Sequence, residues 1–226
     1  MYKYETHMHT SPVSGCAHAS VRESIECYKN LGYDGVFITN HFIDGNLAID
    51  RSAPYEEKIE FFFSACEEGK KIGEELGIKV FSGLEQGYLG SDFLVYGLDK
   101  EWFLKNPQIQ QMSKREELEF YIASGALVIH AHPFREDSYI DHIRLFPRSV
   151  HGVEVYNANR RELENRMAKL YAENYGLIEF AGSDNHDAGR QKKLGGMCSE
   201  TPVTDEQDFV RRVLNGEMKI FTLERD

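Results

Sequence analysis

The sequence predicts an α/β fold in one domain, organised around a parallel sheet with crossover helices. Three observations carry that expectation. Short buried-type strands alternate with amphipathic helices along the whole 226-residue chain. Three of the helices open at Ser/Thr-x-x-Glu/Gln boxes, and the helices close at glycines. No linker, low-complexity tract or repeat marks a boundary. With 41% hydrophobic residues, the chain can bury one full core.

The elements follow in order. Tyr2 to Tyr4 begins a strand that runs into Glu5-Thr6-His7-Met8-His9-Thr10. Ser20-Val21-Arg22-Glu23 is a capping box for a helix that Gly32 closes. Residues 35–39 (GVFIT) read as a short buried strand with His41 just beyond it. A helix starting near Pro54 carries Ile59, Phe62, Phe63 and Cys66 at helical spacing and ends at Gly77. Residues 79–84 (KVFSGL) form a strand that ends at Glu85, and residues 92–96 form another after a turn containing Gly87 and Gly90.

Ser113-Lys114-Arg115-Glu116 caps a helix that stops at Gly125. Residues 126–130 then run as a strand into Ala131-His132-Pro133, and residues 153–156 as one ending at Asn157. The next helix buries Leu163, Met167, Leu170 and Tyr171 and stops at Gly176. Residues 177–181 lead as a strand into Gly182-Ser183-Asp184-Asn185-His186. Thr204-Asp205-Glu206-Gln207 caps a last helix, Gly216 closes it, and residues 218–223 finish as a strand.

The bulk numbers narrow the function. The net charge is −11, from 37 acidic and 26 basic residues, so the long-range field repels nucleic acid and acidic membranes. No run of about eighteen apolar residues occurs, so no membrane span is expected. The N-terminal MYKYETHMHT has no apolar signal region, which points to the cytoplasm. The four cysteines form no C-x-x-C pair; Cys27, Cys66 and Cys198 read as small core residues, while Cys16 lies close to the histidines.

The informative polar residues share a position. His7, His9, His41, Glu85, His132, Asp184 and His186 lie just past strand ends, and Asp92 lies at a strand start. In a closed α/β barrel the C-terminal strand ends converge on one face, so ligands far apart in sequence meet in one pocket. His7 and His9, two apart on a strand, present two imidazoles to the same side. Imidazoles mixed with carboxylates suit zinc, iron or manganese. A carboxylate such as Glu85 can bridge two ions about 3.5–4 Å apart, an arrangement used for phosphoryl chemistry. Arg135 and Arg160 follow strand ends on the same face, where a guanidinium binds phosphate at two points. His130 reads equally as core or pocket, and His142 and His151 read as surface residues.

His7-Met8-His9, Thr39-Asn40-His41, Gly83-Leu84-Glu85, Ala131-His132-Pro133 and Gly182-Ser183-Asp184-Asn185-His186 together resemble the successive motifs of the PHP (polymerase and histidinol phosphatase) superfamily. The resemblance runs from about residue 3 to residue 190, and Gly152 to Asn157 fits it too. It implies a distorted (β/α)7 TIM-like barrel holding two or three divalent transition-metal ions (Zn, Fe or Mn). By position, His7, His9, Glu85 and Asp184 resemble the ligands of one ion, Glu85 and His132 those of a second, and His41 and His186 those of a third. Asp92 lies where relatives often carry a histidine ligand.

Two departures stand out. Asn40 replaces the usual aspartate, and the acid or histidine expected five or six positions after His9 is replaced by Ser14 and Gly15. Cys16 and His18, just beyond, are the alternatives for holding a third ion. The implied activity is hydrolysis of a small phosphomonoester by a metal-bound hydroxide, with Asp184 or His186 passing a proton to the leaving oxygen. The alternatives are a 3′-to-5′ exonuclease and a metal-stabilised regulatory module without turnover.

Overall fold

Seven strands run in chain order around a curved sheet in the computed structural model, which describes residues 1–225. They are β1 (Tyr2–Met8), β2 (Gly35–Ile38), β3 (Lys79–Tyr88), β4 (Ser91–Tyr96), β5 (Leu127–Ala131), β6 (Gly152–Asn157) and β7 (Ile178–Gly182). β8 (Lys193–Ser199) then lies antiparallel on β1, and β9 (Lys219–Glu224) pairs with β8. The helices are α1 (Val21–Asn30), α2 (Tyr55–Leu76), α3 (Lys100–Lys105), α4 (Lys114–Ala123), α5 (Glu162–Tyr175) and α6 (Glu206–Leu214).

The result is a mixed α/β fold around a nearly closed, barrel-shaped sheet. The sheet is not the all-parallel one expected, because β4 runs antiparallel to both β3 and β5. The cause is local: Leu89 and Gly90, both in the left-handed region, turn β3 straight back as a hairpin and leave no room for a crossover helix. β1 to β3 and β5 to β7 do pair in parallel.

Both serine capping boxes form, at Ser20 and Ser113, and Gly77 and Gly176 end α2 and α5 as left-handed caps. Phe209 of α6 packs against Phe37 on β2, Tyr96 on β4 and Phe180 on β7. One ring reaching three separate strands means that α6 plugs the interior, and Glu206 accepts from the Ser82 N–H on β3 at 3.0 Å to hold it there.

The barrel closes where the end of β7 meets β1. The His9 N–H donates to the Asn185 carbonyl at 2.9 Å, and the Thr6 hydroxyl donates to the Ala181 carbonyl. Glu5 Oε1 accepts the N–H groups of Thr6 (3.0 Å), His7 (2.8 Å) and Ser183 (2.9 Å), so one buried carboxyl joins the two strands. Burial pushes that carboxyl up to about 7, against the lowering effect of its hydrogen bonds.

The structure departs from the sequence expectations at four further points. On α5, Tyr171 is buried, but Leu163, Met167 and Leu170 are 55%, 40% and 47% exposed. Ala168 and Ala172 share the inner face with Tyr171, because small residues let the helix sit close to Val153 and Val155 of β6. β8 has a Gly195-Gly196 pair and no alternating pattern, so its pairing with β1 was not anticipated. α3 is only six residues long and was also not anticipated. Cys27 is half-buried, whereas Cys66 and Cys198 are buried as expected. Among the described residues, no helix is long and apolar enough to cross a membrane.

Gly182 tests the closure. A Cβ there would overlap His7 Cβ and come 2.7 Å from Glu154 Oε1. Gly182→Ala should therefore cost about 1–3 kcal/mol, the usual range for overpacking. Urea unfolding that shows no loss of stability would mean the β1–β7 contact is looser than described.

Candidate metal centre

The site is built from the ends of five strands. β1 delivers His7 and His9, the segment after β2 delivers His41, β3 carries Glu85, and the segments after β5 and β7 deliver His132, Asp184 and His186. Their donor atoms gather into three overlapping sets: His7, His9 and Asp184; His7, Glu85 and His132; and His9, His41 and His186. His7 Nε2 lies 3.2 Å from His9 Nε2, and each is 3.3 Å from a Glu85 oxygen. Asp184 Oδ1 stands 3.7 Å from the first and 3.5 Å from the second. His132 Nε2 is 3.0 Å from Glu85 Oε1. Glu85 therefore sits at the centre, facing His7, His9, His41 and His132 together.

The backbone is bent to achieve this. His132 (φ 25°) and Asp184 (φ 51°) both occupy the left-handed region, which non-glycine residues rarely adopt. Such strain persists only where surrounding contacts over-determine it, as happens at functional sites. Here the surrounding contact is Glu154, fully buried on β6. It accepts from His7 Nδ1 at 2.8 Å, from the His132 N–H at 3.1 Å and from Asn157 Nδ2 at 2.8 Å. With Nδ1–H committed to Glu154, His7 turns its Nε2 inward.

The electrostatics are those of a site made for cations. Burial disfavours charge on His7, but Glu154, Asp184 and Glu85 outweigh it and hold its pKa well above the usual histidine range. His41 is raised in the same way, against burial, mainly by Glu85. Burial would raise Glu85 and Asp184, yet the facing imidazoles keep both carboxyls well below their usual range. His9 goes the other way: burial, then the charges on His41 and His186, push it down to about 3.

The expected ligands therefore converge, with two exceptions. Asp92 lies outside the three sets; its Oδ2 pairs with the Arg135 guanidinium at 3.0 Å and stands 4.0 Å from His132 Nδ1. His18 is exposed and outside all three sets, and only its backbone N–H touches the site, donating to the His186 carbonyl at 2.9 Å. Cys16 takes the nearer place. Burial raises its thiol, but hydrogen bonding with His186 and His41 prevails and brings it down to about 6.

Arg135 and Arg160 both reach the pocket wall. His130 belongs to the core, stacked on Phe93 with ring centroids 5.0 Å apart. Sequence reasoning gave no role to Glu5 or Glu154. The signal was present, since each is a lone glutamate within a strand of buried residues.

Divalent ions fit this donor set. Glu85 Oε2 and His41 Nδ1 are buried 2.7 Å apart without hydrogen-bond geometry, and neither has another hydrogen-bond partner. Two inward nitrogens, two carboxylates and further imidazoles within reach leave more lone pairs than protons, the condition that a coordinated cation relieves. The centre opens into a pocket of about 540 Å³ also lined by Arg51, Tyr88, Leu89, Tyr139 and Asn159.

A pH prediction follows from these signs. In the metal-free chain the raised pKa values of His7, His41 and His186 stabilise the fold fully below their ordinary value of 6.5. That contribution is lost as pH rises through the folded values. A divalent ion needs the same lone pairs, so uptake must release protons and strengthen from about pH 6 to about pH 8. Titration calorimetry in two buffers of different ionisation enthalpy should show the release. Identical heats and a pH-independent affinity would contradict it.

No protein-family model and no curated protein sequence matches the chain. Solved structures do. A two-domain Bacteroides vulgatus protein, containing a domain assigned by prediction as a PHP-like metal-dependent phosphoesterase, matches over 97% of this chain at 16% identity and a TM-score of 0.69. The chain spans 64% of that protein's length. A Bifidobacterium adolescentis protein, provisionally assigned as a metal-dependent phosphoesterase, matches over 95% of this chain and 96% of its own, at 16% identity and a TM-score of 0.58. PsfC from Pseudomonas syringae matches over 99% of this chain and 91% of its own, at 15% identity and a TM-score of 0.62. The chain thus has the fold of the PHP-like metal-dependent phosphoesterases.

Proposed function

We propose that this chain is a member of the PHP superfamily and a metal-dependent phosphoesterase acting on a small phosphomonoester. The observation that supports this most is the coincidence of the three ligand sets, two of them mixing histidine with a carboxylate, with a pocket that also presents Arg51, Arg135 and Arg160. Cations and phosphate have to meet in one place for this chemistry, and both kinds of partner are provided on one wall.

Bound divalent ions would supply Lewis-acid charge for the phosphate oxygens and lower the pKa of attacking water. The chain's own residues do the rest. His7, His9, His41, Glu85, His132 and Asp184 are the holders, with His186 beside His9 and His41 at the third set. Arg135, pinned by Asp92, and Arg160, whose Nε lies 3.9 Å from Asp184 Oδ2, bring their guanidinium groups to the pocket wall for a phosphate oxygen. Of the two candidates for proton delivery, Asp184 stays ionised and suits ligation only. His186 is held above its usual range by hydrogen bonding with Cys16 and the charge of Asp184, against burial. It lies at the pocket wall, so it is the better placed to protonate the leaving oxygen.

The substrate's organic part faces Leu89 and Tyr139, large side chains 66% and 61% exposed at the pocket rim. The restricted volume and the net charge of −11 favour a small anion over a long polyanion. The identity of the metals stays open among Zn, Fe and Mn, which this donor set accepts.

Assay of the metal-loaded protein against a phosphomonoester panel, with short single-stranded DNA as competitor, tests the proposal. Turnover resistant to DNA is expected; no turnover with any added divalent ion would reject it. Glu85→Ala should lose metal and activity together. Arg160→Ala should weaken substrate use by about 10- to 100-fold, the value of a charge-assisted hydrogen bond. An unchanged KM and kcat in that variant would place the phosphate elsewhere.

A further inference from the structure

We infer that Asn40 and Ser14 decide which nitrogen of His9 carries the proton, and so keep the His9 Nε2 lone pair facing the metal centre. The inference rests on His9 being a metal ligand, as proposed above. Its logic is an accounting of donors and acceptors in a fully buried cluster.

The chain of constraint begins in the backbone. The Thr10 N–H points at Asn40 Oδ1 at 2.7 Å, which fixes the amide orientation, because the flipped amide would set donor against donor. The other end agrees, with Asn40 Nδ2 donating to Thr10 Oγ1 at 2.9 Å. Ser14 Oγ has one hydrogen and two lone pairs. It meets the acceptor Asn40 Oδ1 at 2.9 Å, the donor His41 N–H at 3.0 Å and His9 Nδ1 at 3.1 Å. The hydroxyl proton can go only to Asn40, one lone pair is taken by His41, and the remaining lone pair requires a proton on His9 Nδ1. His9 Nε2 is then bare, 3.2 Å from His7 Nε2.

One hydroxyl thus positions two ligands from different strands, the His9 ring and the His41 backbone. The aspartate usual in relatives could accept the same two bonds. Asn40 delivers the acceptor without adding another charge beside Glu85 and Asp184. Asn40 and Ser14 are positioning residues here, acting through His9 and His41.

The test reads the tautomer directly. Long-range ¹H–¹⁵N correlation spectra of the metal-free protein should show His9 protonated at Nδ1, whatever the enzyme's turnover. Asn40→Asp, which preserves both accepted bonds, should keep that tautomer and the wild-type affinity for Zn²⁺. Asn40→Leu frees the Ser14 proton to turn towards His9. It should give mixed tautomers and bind Zn²⁺ about 10- to 100-fold more weakly, the usual cost of losing a partner that orients a ligand. A His9 protonated at Nε2 in the wild type would overturn the inference, and so would a folded Asn40→Leu protein with wild-type affinity. If Asn40→Leu fails to fold, the wild-type tautomer alone decides. Absence of phosphatase activity with the expected tautomer would count against the enzyme reading and leave the relay intact.

Discussion

The Nε2 atoms of His7 and His9 are held 3.2 Å apart in a space without solvent, with Glu85 and Asp184 facing them. Two imidazole nitrogens do not choose that separation, and two carboxylates do not choose that neighbourhood. The surrounding structure has to impose both. Glu154 orients one ring, Ser14 the other, and Glu5 clamps the strand that carries them to the strand that carries Asp184. Gly182 is required because its missing Cβ is the room that His7 occupies. Barrel closure and ligand convergence are therefore one event.

This coupling explains why buried polar groups concentrate at one end of an otherwise apolar interior. At the other end Phe37, Tyr96, Phe180 and Phe209 fill the barrel with rings. The aromatic plug supplies nondirectional burial, and the site end is correspondingly free to be strained, as the backbone at His132 and Asp184 shows. A cation at the centre would convert those costs into coordination bonds, which makes metal loading a contribution to folding stability as well as to chemistry.

Much of this was legible in the chain itself. Ligands placed after strand ends, such as His41 and Asp184, could be read because a barrel turns that one-dimensional rule into a three-dimensional cluster. Capping boxes at Ser20 and Ser113 were equally plain, being local. What escaped was decided by tertiary competition. Leu163, Met167 and Leu170 have the right helical period, yet the alanine-bearing face of α5 packs closer to β6 and takes the interior. The direction of β4 depended on a two-residue turn, and β8 offered no alternation to read. Asp92 illustrates a subtler limit. Its position was right, but its nearest charge is Arg135, and nothing in the spacing says which of two neighbours a carboxylate will pair with.

Elemental analysis of the purified protein tests most directly whether the converging histidines and carboxylates form a metal centre. The expected result is about two to three equivalents of Zn, Fe or Mn per chain, retained through dialysis and removed only by a strong chelator. One equivalent or none, with no uptake when Zn²⁺, Fe²⁺ or Mn²⁺ is added back to the folded protein, would contradict it.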